Sequence, residues 1–128
     1  MASILKVDSI GKTSGSTQDT MAGLSKSWLD LDGTAADSTV DLTGVRDSFN
    51  LSSVVDNGTG SYNPTFTNNM GSANYSTPSS VANADDAGAF NALGIVTKAT
   101  NTYRIDSESS SSNTDAPRLD VAVLGDLA

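Results

Sequence analysis

The chain has 128 residues, of which 37% are hydrophobic, 5% aromatic and 17% charged, with a formal net charge of −8 and neither histidine nor cysteine. This fits one domain with a thin core and rules out disulfides. It also disfavours nucleic acid and anionic membranes as partners, because both call for clustered Lys and Arg.

Aromatic side chains bury the most area per residue, so a chain with few of them gains from association. An obligate homo-oligomer is expected. No apolar run is long enough to span a bilayer.

The first element is Ile4-Leu5-Lys6-Val7-Asp8-Ser9-Ile10, an alternating stretch that reads as a strand. Its apolar residues Ile4, Leu5, Val7 and Ile10 are the candidate attachment residues. The stretch is too short and too polar for the centre of a signal peptide, so synthesis in a cytoplasm without export by that route is expected. Residues 11–20, GKTSGSTQDT, contain no hydrophobic residue and read as a flexible connector. A lone strand behind such a connector needs a partner, either a neighbouring subunit or another protein. Residues 1–20 are therefore read as an attachment arm and linker, and 21–128 as the head.

In the head, residues 21–24 read as a short helical turn or the start of a strand. Residues 27–32, SWLDLD, alternate, with Trp28 and Asp30 on one side and Leu29 and Leu31 on the other. A polar excursion over 32–44 contains Val40 and Leu42. Strands are then expected over 48–55 and 61–68, folded back around Asp56-Asn57-Gly58-Thr59-Gly60, since tight reversals need the positive φ that Asn and Gly tolerate. Tyr62 and Phe66 share a parity. Pro64 cannot donate to a ladder, which argues for an edge strand or a bulge. A weak strand over 75–84 gives way to an Asn/Asp loop. Better strands follow over 90–98 and 102–106. Residues 107–115, SESSSSNTD, read as a low-complexity surface loop. Residues 118–124, RLDVAVL, set Leu119, Val121 and Val123 against Asp120 and Ala122 as a closing core strand. Short strands at this spacing predict an all-β fold, an antiparallel β-sandwich or jelly-roll-like head carrying an extended N-terminal strand arm.

Motifs that would carry chemistry are incomplete. Gly11-Lys12-Thr13 resembles the end of a phosphate-binding loop, but Lys6 stands where that loop needs a glycine. Ser3-x-x-Lys6 and Ser9-x-x-Lys12 lack companion motifs. Asp30-x-Asp32-Gly33 resembles a calcium loop in which the glycine arrives too early. A weak cation site at Asp30, Asp32 and Asp37 stays open at this point. Asp85 and Asp86 are neighbours whose side chains would point to opposite faces of a strand, so they do not flank one glycosidic bond. The aromatic set, Trp28, Phe49, Tyr62, Phe66, Tyr75, Phe90 and Tyr103, is read as core. No enzyme, no cofactor and no metal site is expected.

Three stretches carry a resemblance: MASILKVDSIGKTSGSTQDTMAGLSKSW; LDLDGT with VRDSFNLSSVVDNGTGSYNPTFTNNMGSANYS; and DVAVLGDL. Together they cover more than half of the chain and resemble short tail fibres of tailed bacteriophages, especially marine and cyanobacterial phages. Two departures stand out, a longer loop over 35–43 and Pro64 within a strand. The resemblance implies a virion structural protein, a homotrimeric tail fibre or fibre-like appendage in contact with the host surface, either a cell-surface glycan or a protein. It supplies no catalytic residues. The alternative is a capsid decoration protein that docks to the shell through the same arm. Either reading makes the partners other virion proteins and places the chain on the virion.

Overall fold

Alternation of apolar and polar side chains governs the architecture. The computed structural model describes residues 24–35, 40–82 and 92–128, and among these there is no helix. Among the described residues ten strands form two antiparallel sheets. One runs in the order β3 (Val45–Phe49), β1 (Ser25–Leu31), β10 (Arg118–Leu124), β6 (Ser79–Ala82). The other runs β2 (Val40–Asp41), β4 (Leu51–Asp56), β5 (Ser61–Phe66), β8 (Tyr103–Ser109), β7 (Ala92–Lys98), with β9 (Ser112–Asn113) paired to β8. The all-β sandwich expected from the sequence is therefore the observed fold. The arm residues Ile4, Leu5, Val7 and Ile10 lie outside the described residues.

The core is the interface of the two sheets. Leu29 and Leu31 of β1, with Leu119, Val121 and Val123 of β10, pack in one cluster with Leu51, Val54, Tyr62, Phe66, Tyr103 and Ile105 of the second sheet. The expected inward parities of 27–32 and 118–124 are both seen. Fully burying one such side chain stabilises by about 1.5–3 kcal/mol. Phe66 lies edge-on to Tyr75, with ring centroids 5.8 Å apart, and tilted against Tyr103 at 5.4 Å.

The strand expected over 48–55 is broken at Asn50. This residue is left-handed, with φ 59°, and it separates β3 in the first sheet from β4 in the second. Among residues with a side chain, asparagine adopts this conformation comparatively readily. Its amide also ties the corner. Nδ2 donates to the carbonyls of Lys26 and Asn68 at 3.0 Å each, and Oδ1 accepts from the backbone N–H of Asn68 at 2.7 Å. In an unbroken strand Phe49 and Leu51 would share a face. Across the corner Leu51 is buried and Phe49 is 48% exposed.

Pro64 occupies an interior strand, which corrects the expectation of an edge, while the β4–β5 ladder carries a register shift close by, between Leu51 and Ser53. β5 pairs with β8 at Ser61↔Asp106 and Tyr62↔Ile105, lapses, and resumes in the same register at Thr65↔Thr102. The missing proline donor falls within the lapse, and the Thr102 hydroxyl donates to the Pro64 carbonyl at 2.7 Å. The side chain of Pro64 is buried in line with Tyr62 and Phe66.

The presumed surface loop 107–115 is also corrected. β8 continues to Ser109 and turns back into β9 through Ser110 and Ser111, whose φ values are 52° and 68°. Two consecutive positive φ values define the tight hairpin loop that Asn-Gly serves best. Serine carries no such preference, so the turn was hidden in a serine-rich run.

A polar clamp joins the ends of the two sheets. The Tyr62 hydroxyl lies 2.9 Å from Asp115 Oδ1 and 3.1 Å from the Gly33 carbonyl, and the Gly60 N–H donates to the same Asp115 oxygen at 2.6 Å. Burial, followed by the Asp115 carboxylate, pushes the Tyr62 phenol well above its ordinary value, so it stays a donor. A Cβ on Gly33 would meet that hydroxyl and lie 2.8 Å from the Ala116 carbonyl. At Gly60, whose φ is 66°, an added Cβ would lie 2.6 Å from the Ser107 carbonyl.

Asn50→Ala should lower stability in urea unfolding by about 2–3 kcal/mol, through loss of the side-chain hydrogen bonds and added left-handed strain. Asn50→Gly, which relieves only the strain, should recover about 1 kcal/mol of that loss. Replacing Ser110-Ser111 with Asn-Gly should raise stability by about 1 kcal/mol in the same assay, because the new pair suits the turn.

Candidate functional site

The outer face of the β3-β1-β10-β6 sheet collects the residues that alternation leaves outside. Trp28 of β1 is paired in register with Phe49 of β3 and with Ala122 of β10. The rings of Trp28 and Phe49 stack with centroids 4.7 Å apart and planes 23° apart, yet Trp28 stays 40% exposed. These two residues correct the reading of the aromatic set as core. Tyr62, Phe66, Tyr75 and Tyr103 are buried as expected, and Phe90 lies outside the described residues.

On the far side of Trp28 the face is hollow. Ala122 is short, and its N–H donates to the Pro78 carbonyl at 2.9 Å, which draws the β6 end of the sheet alongside. The result is an open hollow of about 440 Å³ whose lining includes Trp28, Asp30, Pro78, Ser80, Asp120 and Ala122.

One row along the strands, Asp47, Asp30, Asp120 and Ser80 stand opposite one another on β3, β1, β10 and β6. Like charges directly opposite destabilise a sheet. Two devices relieve them. The register shift of β3 against Asp30 and Leu31 leaves Arg46 unopposed. Its guanidinium reaches Asp30 at 3.3 Å, Asp32 at 2.8 Å and the Pro117 carbonyl at 2.7 Å. The Ser80 hydroxyl donates to Asp120 at 3.2 Å. Asp47 accepts from the N–H of Ser48 at 2.8 Å.

Asp32 closes the row. The Thr34 hydroxyl and N–H donate to its carboxylate at 2.6 and 3.1 Å. These bonds, the hydroxyl foremost, and the neighbouring Arg46 charge hold the Asp32 carboxyl below its ordinary value against the opposing effect of burial. The question of a weak cation at Asp30 and Asp32 thus has a structural answer: the cation beside them is Arg46 of the chain itself. Asp37, Asp85 and Asp86 lie outside the described residues. Among the described residues no three His, Cys, Asp or Glu side chains converge as metal ligands.

The parity of SWLDLD already placed Trp28 beside Asp30 and away from Leu29 and Leu31, so the aromatic half of this face was signalled. Phe49 carried no such signal, because its exposure depends on the corner at Asn50. The acidic row carried none either, since it is set by cross-strand register.

Trp28 is the single tryptophan of the chain, so fluorescence reports directly on this face. Its emission should be quenched by both acrylamide and caesium, and more efficiently by caesium than by iodide at low salt, because the acidic row repels anions. Protection from all three quenchers would contradict the exposed placement.

Among the described residues no helix is long and apolar enough to cross a membrane. In comparison with known proteins, no family model, no curated protein and no solved structure matches this chain.

Proposed function

We propose that the chain is a virion structural protein of a tailed bacteriophage, a tail fibre or fibre-like appendage that assembles as a homotrimer and turns the β3-β1-β10-β6 face toward the host surface. The observation that carries this reading is the stacked, exposed Trp28–Phe49 pair on the outer sheet face. Two large aromatic side chains left in water together mark a contact surface more often than a structural need. The resemblance of the three sequence stretches to tail fibres supports the same reading.

Assembly has separate support. Leu24, Leu42 and Val96 are further large apolar side chains left exposed by the single chain. A small sandwich with a thin aromatic core gains by covering such surface in a closed symmetric oligomer. The arm residues Ile4, Leu5, Val7 and Ile10 are assigned the task of anchoring to a neighbouring virion protein by strand addition. The head itself needs no chemistry for these tasks, only rigidity and a presented face.

Immunogold labelling of intact virions with an antibody against this chain tests the placement. Gold confined to the tail is expected. Gold distributed over the capsid would replace this reading with a decoration protein. Light scattering of the purified chain should give a mass three times the protomer's 13.1 kDa; a monomer at micromolar concentration would contradict the trimer.

A further inference from the structure

The hollow beside Trp28 is chemically two-sided. Trp28 is stacked on Phe49 toward β3, so its opposite ring face turns toward β10 and forms one wall. Pro78 stands at the β6 side, and Ala122 lies between them as a low floor. β1 and β6 are two strand spacings apart, about 9.5 Å, which leaves room for a single ring between side chains of ordinary thickness.

The polar groups lie in the neighbouring row. Asp30, Asp120 and Ser80 follow one another across β1, β10 and β6. The carboxylates accept hydrogen bonds only, and the Ser80 hydroxyl already donates to Asp120. A fitting ligand therefore has an apolar ring face for the indole and several hydroxyl donors on one edge. Arg46 already rests on Asp30, and Asp120 is met by a neutral donor, the Ser80 hydroxyl, so hydroxyl donors are the kind of partner this row already takes beside the hollow.

We infer that this hollow binds a neutral sugar ring, a hexopyranoside, with its C–H face against Trp28 and its hydroxyls donating to Asp30 and Asp120. The negative face of the indole attracts the weakly positive C–H groups of the ring. The inference rests on the outward-facing reading of this sheet and narrows it to a ligand class. The hollow is shallow and open, so single-ring affinity is weak, with a Kd on the order of 1 mM. Useful binding then comes from several copies on one assembly engaging a repeating glycan at once.

The test is titration of the whole ¹⁵N-labelled chain, followed by NMR, with four probes: the methyl glycosides of glucose, galactose, mannose and N-acetylglucosamine. At least one should give saturable shifts at the Trp28 indole N–H and the Ala122 amide, with a Kd on the order of 1 mM. Asp120→Asn, which keeps the side-chain shape and removes one of the opposed charges, should weaken that binding about tenfold while the spectrum stays dispersed. Trp28→Ala should abolish the shift at Ala122.

Absence of saturable shifts with all four probes at concentrations about 100-fold above that Kd would overturn the inference. Tighter binding of N-acetylargininamide than of any glycoside would overturn it in favour of a basic protein partner. Loss of the oligomer in Trp28→Ala would likewise overturn it, making this face a subunit contact. Tail or capsid placement by gold labelling is read independently, so failure of the sugar site and failure of the appendage reading remain distinguishable.

Discussion

The left-handed corner at Asn50 is the constraint on which both the core and the exposed face depend. It moves the chain from one sheet to the other within a single residue. Phe49 thereby stays beside Trp28 on the outer face, and Leu51 enters the core. The corner is held from both sides, by the Lys26 carbonyl in β1 and by Asn68 just past β5. A residue at positive φ is thus fixed by bonds to β1 of one sheet and to the chain just past β5 of the other.

The opposite end is closed by the Tyr62–Asp115 clamp. Asp115 Oδ1 accepts from both the Tyr62 hydroxyl and the Gly60 backbone, and Gly33 donates to the Ala116 carbonyl at 2.8 Å. Two glycines permit approaches that a Cβ would block. Between the corner and the clamp lies an apolar cluster built from both sheets, including Tyr103, whose hydroxyl is fully buried and has no hydrogen-bond partner among the described residues. That orphan hydroxyl costs on the order of 1–3 kcal/mol, offset by the packing of its ring. A rigid frame of this kind is what an outward-facing aromatic pair requires, because Trp28 and Phe49 are supported by strands rather than by loops.

Much of the frame was legible in the sequence. Alternation in SWLDLD and RLDVAVL gave β1 and β10 with the correct inward faces, and Asp56-Asn57-Gly58-Thr59-Gly60 gave the β4–β5 reversal. What escaped was conformational rather than compositional. Asn50 and the Ser110-Ser111 pair adopt positive φ without a glycine to announce it. Pro64 enters an interior strand because the β5–β8 ladder lapses at its missing donor and the hydroxyl of Thr102, just before β8, satisfies its carbonyl, an arrangement visible only across strands. The candidate site divided along the same line. Trp28 and Asp30 follow from local parity, whereas Phe49, Arg46 and Asp120 join them only through register. Local pattern therefore specified the faces of this protein, and long-range pairing decided which residues met on them.

The most direct test of this account is the set of nuclear Overhauser contacts of the Trp28 indole, in the native chain and in Asn50→Val, which resists the left-handed conformation. Strong contacts between the Trp28 and Phe49 rings, lost in a variant that still folds or lost together with folding, are what the corner predicts. Native spectra in which Phe49 instead contacts core residues such as Leu31 or Val54, with Trp28 ring protons shielded from solvent, would contradict it.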